Sequence, residues 1–161
     1  IIMEAQRITG IVPSTTFLGR DTYQTETLQS HESIRYDSLS LAVSNELRFA
    51  YLPASNIISS AYACDPATHY SFVESVTLTS DADYNALYPA GSNLINILVN
   101  RKYGIVQAYE NIQAGFYLDQ PSFFLTFEVP PTTETTHNFQ ISYQLEDRIV
   151  TTSLENVTIR P

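Results

Sequence analysis

Apolar and polar residues alternate along much of this chain. Leu39, Leu41 and Val43 are interleaved with Ser38, Ser40 and Ala42, and Leu47, Phe49 and Tyr51 with Arg48 and Ala50. Phe123, Leu125, Phe127 and Val129 alternate with Phe124, Thr126 and Glu128, and Phe139, Ile141, Tyr143 and Leu145 with Gln140, Ser142 and Gln144. Period two puts successive side chains on opposite faces of a pleated strand, so each run predicts a half-buried strand. Ser44-Asn45-Glu46 between the first two runs is turn-like and predicts a hairpin; Glu146-Asp147-Arg148 turns the chain into Ile149–Ser153. Further strands are expected at Gln6–Val12, Ile57–Cys64, Phe72–Thr79, Tyr103–Tyr109 and Asn156–Ile159, in a sequence rich in Thr, Tyr, Phe, Val and Ile.

One stretch breaks the pattern. Leu94, Ile95, Ile97 and Leu98 fall at helical neighbour spacing and Ser92 can cap a first turn, which predicts one short helix over Ser92–Val99, with a buried strand as the competing reading. Pro130–Thr136 is a polar Pro/Thr loop, and Ser14–Glu32 has little pattern and is expected to be a long loop or weak edge segment. About eight to ten short strands spaced by polar turns, without recurring helices, predict a single domain over residues 1–161. Its expected fold is all-β: an antiparallel β-sandwich, Ig-like or related, with one short helix. The absence of Trp removes the Cys…Trp…Cys signature of immunoglobulin domains.

Length agrees with one domain: 161 residues bury roughly 68–70% of the unfolded surface, enough for a core without disulfides. Charged residues are only 16% of the chain, with hydroxyl and amide residues in their place, a composition common in secreted β-proteins. Seventeen acidic against eight basic residues give a net charge of −9, and Arg101-Lys102 is the sole adjacent basic pair. Nucleic acid and anionic membrane surfaces are therefore not expected partners. No apolar run is long enough for a transmembrane helix. No signal peptide is visible at Ile1, and the start in Ile1-Ile2-Met3-Glu4 reads as a mature or trimmed end, compatible with removal of a targeting segment.

The motif with the most chemical content is Asp81-Ala82-Asp83-Tyr84-Asn85, whose oxygen side chains recur at every second position as at the start of a calcium loop. Ala86 stands where the loop needs Gly and Ser92 where it needs a bidentate Glu, so the first reading is a turn held by Asx side chains. Asp81, Asp83 and Asn85 are the candidate ligands should calcium bind; no other cofactor is expected. Tyrosine is abundant, at eleven residues. Its flat apolar body and polar tip suit sugar stacking or interface pockets, which makes Tyr84, Tyr88, Tyr109 and Tyr117 candidate ligand-binding residues against a plainer role in packing.

No catalytic signature stands out. Cys64, Asp65 and His69 lie close in sequence without a Gly-rich elbow, and the lone Cys64 is expected as a small buried residue. His31, His69 and His137 match no zinc spacing and are expected as exposed or loop residues. Carboxylate pairs such as Asp81 with Asp83, or Glu128 with Glu146, are formal candidates for glycoside hydrolysis, but any acidic domain offers such pairs. Asn156-Val157-Thr158 fits a glycosylation sequon on an expected strand.

Three segments carry a resemblance: Ala61-Tyr62-Ala63-Cys64, the stretch from Val76 to Asn85, and Tyr88-Pro89-Ala90-Gly91-Ser92-Asn93-Leu94. Together they resemble a family of Bacteroidetes envelope proteins of unassigned function, described as lipoproteins or secreted proteins. The resemblance is confined to mid-chain, and Ile97-Leu98-Val99 departs from the Asp/Phe-rich ending of that family. It implies export to the periplasm or outer surface and a lipid anchor upstream of Ile1, and it carries over no site residue.

The sequence thus leads to a non-enzymatic, extracytoplasmic domain of the cell envelope with a binding or structural role. The alternatives are a carbohydrate-binding module, calcium-assisted or not; a glycan-directed hydrolase; and an assembly subunit completed by a neighbour's strand, with Ile1–Val12 and the last strand as the segments concerned. A protein or glycan is the expected partner.

Overall fold

The computed structural model describes residues 2–12, 22–29, 32–44, 72–102, 105–107, 116–117 and 122–161. Among these residues eleven strands form two sheets. In chain order they are β1 (Ile2–Val12), β2 (Thr22–Thr27), β3 (Ser33–Arg35), β4 (Leu39–Ser44), β5 (Phe72–Ser80), β6 (Leu98–Lys102), β7 (Ile105–Gln107), β8 (Phe116–Tyr117), β9 (Ser122–Phe127), β10 (Thr135–Leu145) and β11 (Ile149–Arg160). The first sheet runs β2-β1-β4-β9-β6-β7 and the second β3-β11-β10-β5-β8. One apolar core joins them: Leu39, Leu41, Val43, Leu98, Leu125 and Phe127 from the first sheet meet Val76, Leu78, Phe139, Ile141, Tyr143 and Ile159 from the second. This is the all-β sandwich that alternation predicts.

The second sheet shows why. In β10, Phe139, Ile141, Tyr143 and Leu145 are buried, while Gln140 is exposed and Ser142 and Gln144 are half-buried. β10 is flanked by β5 and β11, so its ladder bonds are satisfied on both sides and one face is free to pack inward. On the outer face hydroxyls pair across strands, Thr136 with Thr158 at 2.8 Å and Ser142 with Thr151 at 3.1 Å.

Two bulges reset the alternation. In β5, Val73 pairs with Leu145 but Ser75 with Gln144, leaving Glu74 extra, so the buried set changes from Val73 to Val76, Leu78 and Ser80. In β11, His137 pairs with Val157 and Phe139 with Leu154, so one residue of β11 is extra. Asn156 absorbs it with φ of 62°, a left-handed conformation that Asn tolerates better than most residues. The two strands expected at Ile149–Ser153 and Asn156–Ile159 are therefore one strand bent at this bulge.

Several expectations need correction. The sandwich is not wholly antiparallel, because β3 pairs in parallel with the end of β11. The helix over Ser92–Val99 is a 3-10 turn at Leu94–Ile97 followed directly by β6. Its cap is Asn93 rather than Ser92: the Asn93 Oδ1 accepts from the amides of Ile95 and Leu78, each at 3.1 Å, and ties the turn to β5. The hairpin expected after Val43 is not formed by β4, whose two edges are taken by β1 and β9. Residues 47–51 lie outside the described residues, as do the expected strand Ile57–Cys64 and the Cys64, Asp65, His69 group. The Ser14–Glu32 stretch, expected as a long loop or weak edge segment, agrees with the second reading where it is described: Thr22–Thr27 is β2, outermost among the described strands of its sheet, and its Gln24–Thr27 are all exposed. No described helix is long and apolar enough to cross a membrane.

Candidate functional site

At one end of the sandwich, the loop from Asp81 to Asn93 leaves β5 and folds against the loop from Glu128 to Glu134 between β9 and β10. The loop is held from within. The Tyr84 amide donates to the Tyr88 carbonyl at 2.9 Å and the Tyr88 amide to the Asn85 carbonyl at 3.0 Å, closing a tight turn over Asn85–Tyr88. The Gly91 amide donates to the Ser80 carbonyl at 2.7 Å, which returns the chain to the end of β5. Gly91 has φ of 81°, where a side chain is disfavoured, and a Cβ there would meet nothing within 4 Å. Gly91→Ala is therefore expected to cost about 1–2 kcal/mol from backbone strain alone, with Gly91→Asn costing less, as read by chemical denaturation.

The three candidate calcium ligands share this loop, but each turns its oxygens to a different protein group. Asp81 accepts from the Asn138 amide at 2.8 Å and from its side-chain Nδ2 at 2.7 Å. Asp83 accepts from the Ala90 amide at 2.7 Å. Asn85 Oδ1 accepts from the amides of Leu87 and Tyr88 at 3.0 and 3.2 Å. All three act as Asx-type locks on backbone donors. Among the described residues no group of three or more His, Cys, Asp or Glu side chains lies together. The hydrogen bonds from Asn138, opposed by partial desolvation, hold the Asp81 carboxyl below the usual carboxylate range.

Asn138 completes the latch. It sits opposite the β11 bulge, and its Oδ1 accepts from the Asn156 amide at 2.8 Å while its Nδ2 donates to Asp81. One side chain thus joins the loop, β10 and the bulge. Asn138→Ala is expected to destabilise by about 1–2 kcal/mol, with Asp81→Ala removing part of the same energy; a double-mutant cycle reads the overlap.

The candidate tyrosines separate. Tyr84 is in the core, 1% exposed. Its ring stacks on Phe127 with centroids 4.9 Å apart and tilts against His137 at 5.8 Å, and its hydroxyl donates to the Val129 carbonyl at 2.7 Å. Burial pushes that hydroxyl's pKa up. With its ring enclosed, Tyr84 offers no face to a sugar and closes the end of the sandwich instead. Tyr88 is half-buried against the same core. Tyr117 lies on strand β8, and Tyr109 is outside the described residues.

A pair unseen from the sequence lies beneath the loop. His137, expected as an exposed or loop residue, is fully buried on β10. Its Nδ1 lies 2.9 Å from the Ser80 Oγ, which also accepts from the Ala82 amide. Its ring stacks on Phe139 at 5.4 Å, and its buried Nε2 has no partner among the described residues. Burial lowers the pKa of this imidazole, against a smaller opposing pull from Asp81. A Ser–His contact can activate a nucleophile, but here both groups are sealed and Asp81 bonds Asn138 rather than the imidazole. The legible signal was spacing: His137 stands two residues before Phe139, on the inward set of β10. His31 and His69 lie outside the described residues.

What the loop end offers to solvent is different. Leu87, at the tip of the turn, is 83% exposed, and Val129 beside the Tyr84 hydroxyl is 38% exposed. Asp83 and Pro89 are exposed around them. Glu128 and Glu146 are both exposed as well. No protein-family model, curated protein or solved structure matches the chain, so the reading of this site rests on its own geometry.

Proposed function

We propose that this chain is a non-enzymatic binding or structural domain that works outside the cytoplasm, in the cell envelope, with the Asp81–Asn93 loop end as its recognition surface. The observation that carries this reading is Leu87, held 83% exposed on a turn whose neighbouring polar groups are locked onto backbone donors. A turn ordered in advance loses little conformational entropy on binding, and a fixed apolar tip rimmed by polar residues suits a protein partner. The hydroxyl ladders on the second sheet and the scarcity of charge support an extracytoplasmic setting, as does the mid-chain resemblance to envelope proteins.

A second reading, glycan binding, draws support from Tyr88, which is half-buried on the same turn and close in sequence to the exposed Asp83. The two are separated by a glycan array run in calcium and in chelator, with Leu87→Ser as the companion variant. Binding that survives Leu87→Ser and depends on Tyr88 favours glycan. Silence across the array removes that reading. Turnover of a chromogenic glycoside by the purified chain, abolished by substitution of an exposed carboxylate, would overturn the non-enzymatic assignment.

A further inference from the structure

Sheet edges attract other strands, and proteins blunt them with short edges, charges, prolines or bulges. Among the described residues, three of the four outermost strands show only two or three residues: three each in β3 and β7 and two in β8. The fourth, β2, carries the charged Glu26, set against Arg7 of β1. β11 is different. It has twelve residues, and β3 covers only Thr158–Arg160 of its outer edge. Among the described residues nothing pairs with that edge from Ile149 to Val157. Its first half, Ile149-Val150-Thr151-Thr152-Ser153-Leu154, has no charge, no proline and no glycine, a composition that favours strand pairing.

We infer that the edge of β11 left unpaired by the described residues pairs with β11 of a second copy, antiparallel about Thr152, joining two second sheets into one. The edge is complementary to itself in this register. Thr152 meets its own counterpart, Thr151 meets Ser153, Val150 meets Leu154 and Ile149 meets Glu155, so no like charges oppose one another. Ile149, Thr151, Ser153 and Glu155 share the exposed face, and Ile149 is 65% exposed. Val150 and Leu154 share the inner face and are only partly buried against the core. Leu154 lines a groove of about 270 Å³ with Leu28, Met3 and Ala5. The second copy's Val150 comes to lie beside Leu154 at this groove, covering apolar surface that one copy leaves half open.

The size of the contact sets its strength. Seven paired residues extend about 24 Å, and one strand pair buries less than the roughly 800 Å² per partner of stable complexes. The dimer is therefore weak, with a dissociation constant in the micromolar to millimolar range. Two chains of charge −9 repel, so association strengthens with salt as that repulsion is screened.

Sedimentation equilibrium of the intact chain, from micromolar to millimolar concentration, is the test, with amide hydrogen exchange at both ends of the range. The expected result is reversible dimerisation with concentration-dependent protection of the Ile149–Glu155 amides. The double variant Thr151→Asp with Ser153→Asp places like charges on the pairing edge and is expected to weaken the dimer about tenfold or more. A control with the same added charge at exposed interior positions of the sheet, Gln140→Asp with Ser75→Asp, is expected to dimerise nearly as the parent does. A chain monomeric throughout, a dimer without protection in β11, or equal weakening by both variants overturns the inference. Circular dichroism melts of both variants verify that they fold.

Discussion

Replacing Tyr84 with alanine is expected to lower the unfolding free energy by about 3–5 kcal/mol, the range for removing a large buried aromatic side chain. The ring lies between the two sheets at the loop end, stacked on Phe127 of β9 and against His137 of β10, with 1% of its surface exposed. Truncation leaves a cavity bounded by aromatic rings on both sheets, whose strands restrict collapse. It also frees the Val129 carbonyl from its 2.7 Å hydrogen bond. Tyr84→Phe separates these contributions, because it keeps the ring and removes only the hydroxyl; its expected cost is about 1 kcal/mol. Urea denaturation midpoints of the two variants read the difference. If Tyr84→Ala costs no more than Tyr84→Phe, the ring is not the keystone that the packing makes it.

Acidification through the histidine range is expected to weaken the fold before the carboxylates titrate. Burial holds the His137 imidazole below its ordinary pKa near 6.5, so the folded chain keeps it neutral where the unfolded chain would take up a proton. Below about pH 6.5 the unfolded state binds more protons, and stability falls with pH at up to about 1.4 kcal/mol per unit from this one group. The loss begins near the unfolded pKa and levels off below the lowered folded value. Asp81 acts in a separate window: its lowered pKa gives a stabilisation present above the usual carboxylate range and lost as pH falls through the folded value. His137→Phe removes the first transition and leaves the second. The check is a set of denaturation curves between pH 7.5 and about pH 4.5; a slope unchanged by His137→Phe assigns the acid sensitivity elsewhere.

These two residues also show where sequence reasoning worked and where it stopped. The inward set of β10 was plain from Phe139 to Leu145, because a central strand has neighbours on both sides and its pattern reports one buried face. His137 belongs to the same set by its spacing, but the hydrogen-bond partner of its buried ring, Ser80, is far away in sequence. Strand β2 was legible only as one of two readings, a weak edge segment, because Gln24–Thr27 are exposed throughout and leave no alternation to read. Strand β4 misled in the opposite way: Leu39–Val43 are all buried, so Ser40 and Ala42, which alternation places toward water, are buried too. The helical spacing of Leu94, Ile95 and Ile97 arose from a single 3-10 turn, too short to sustain an α-helix before β6 begins. The Asp81–Asn85 oxygens were correctly read as turn formers, each fixing a backbone donor. The donors themselves, Asn138 above all, come from tertiary pairing that local pattern does not encode.

The kink in the final strand has a consequence for sequence change. Leu154 and Val157 both face inward although three positions apart, because Asn156 is accommodated as a surplus residue. A chain lacking Asn156 would restore even spacing, aligning Leu154, Glu155 and Val157 with Phe139, Asn138 and His137. Every remaining side chain would keep its side. Losing a residue between Val150 and Ser153 would instead turn one end of the strand inside out. Length variation in relatives of this chain should therefore gather at Asn156 and avoid the segment before Leu154.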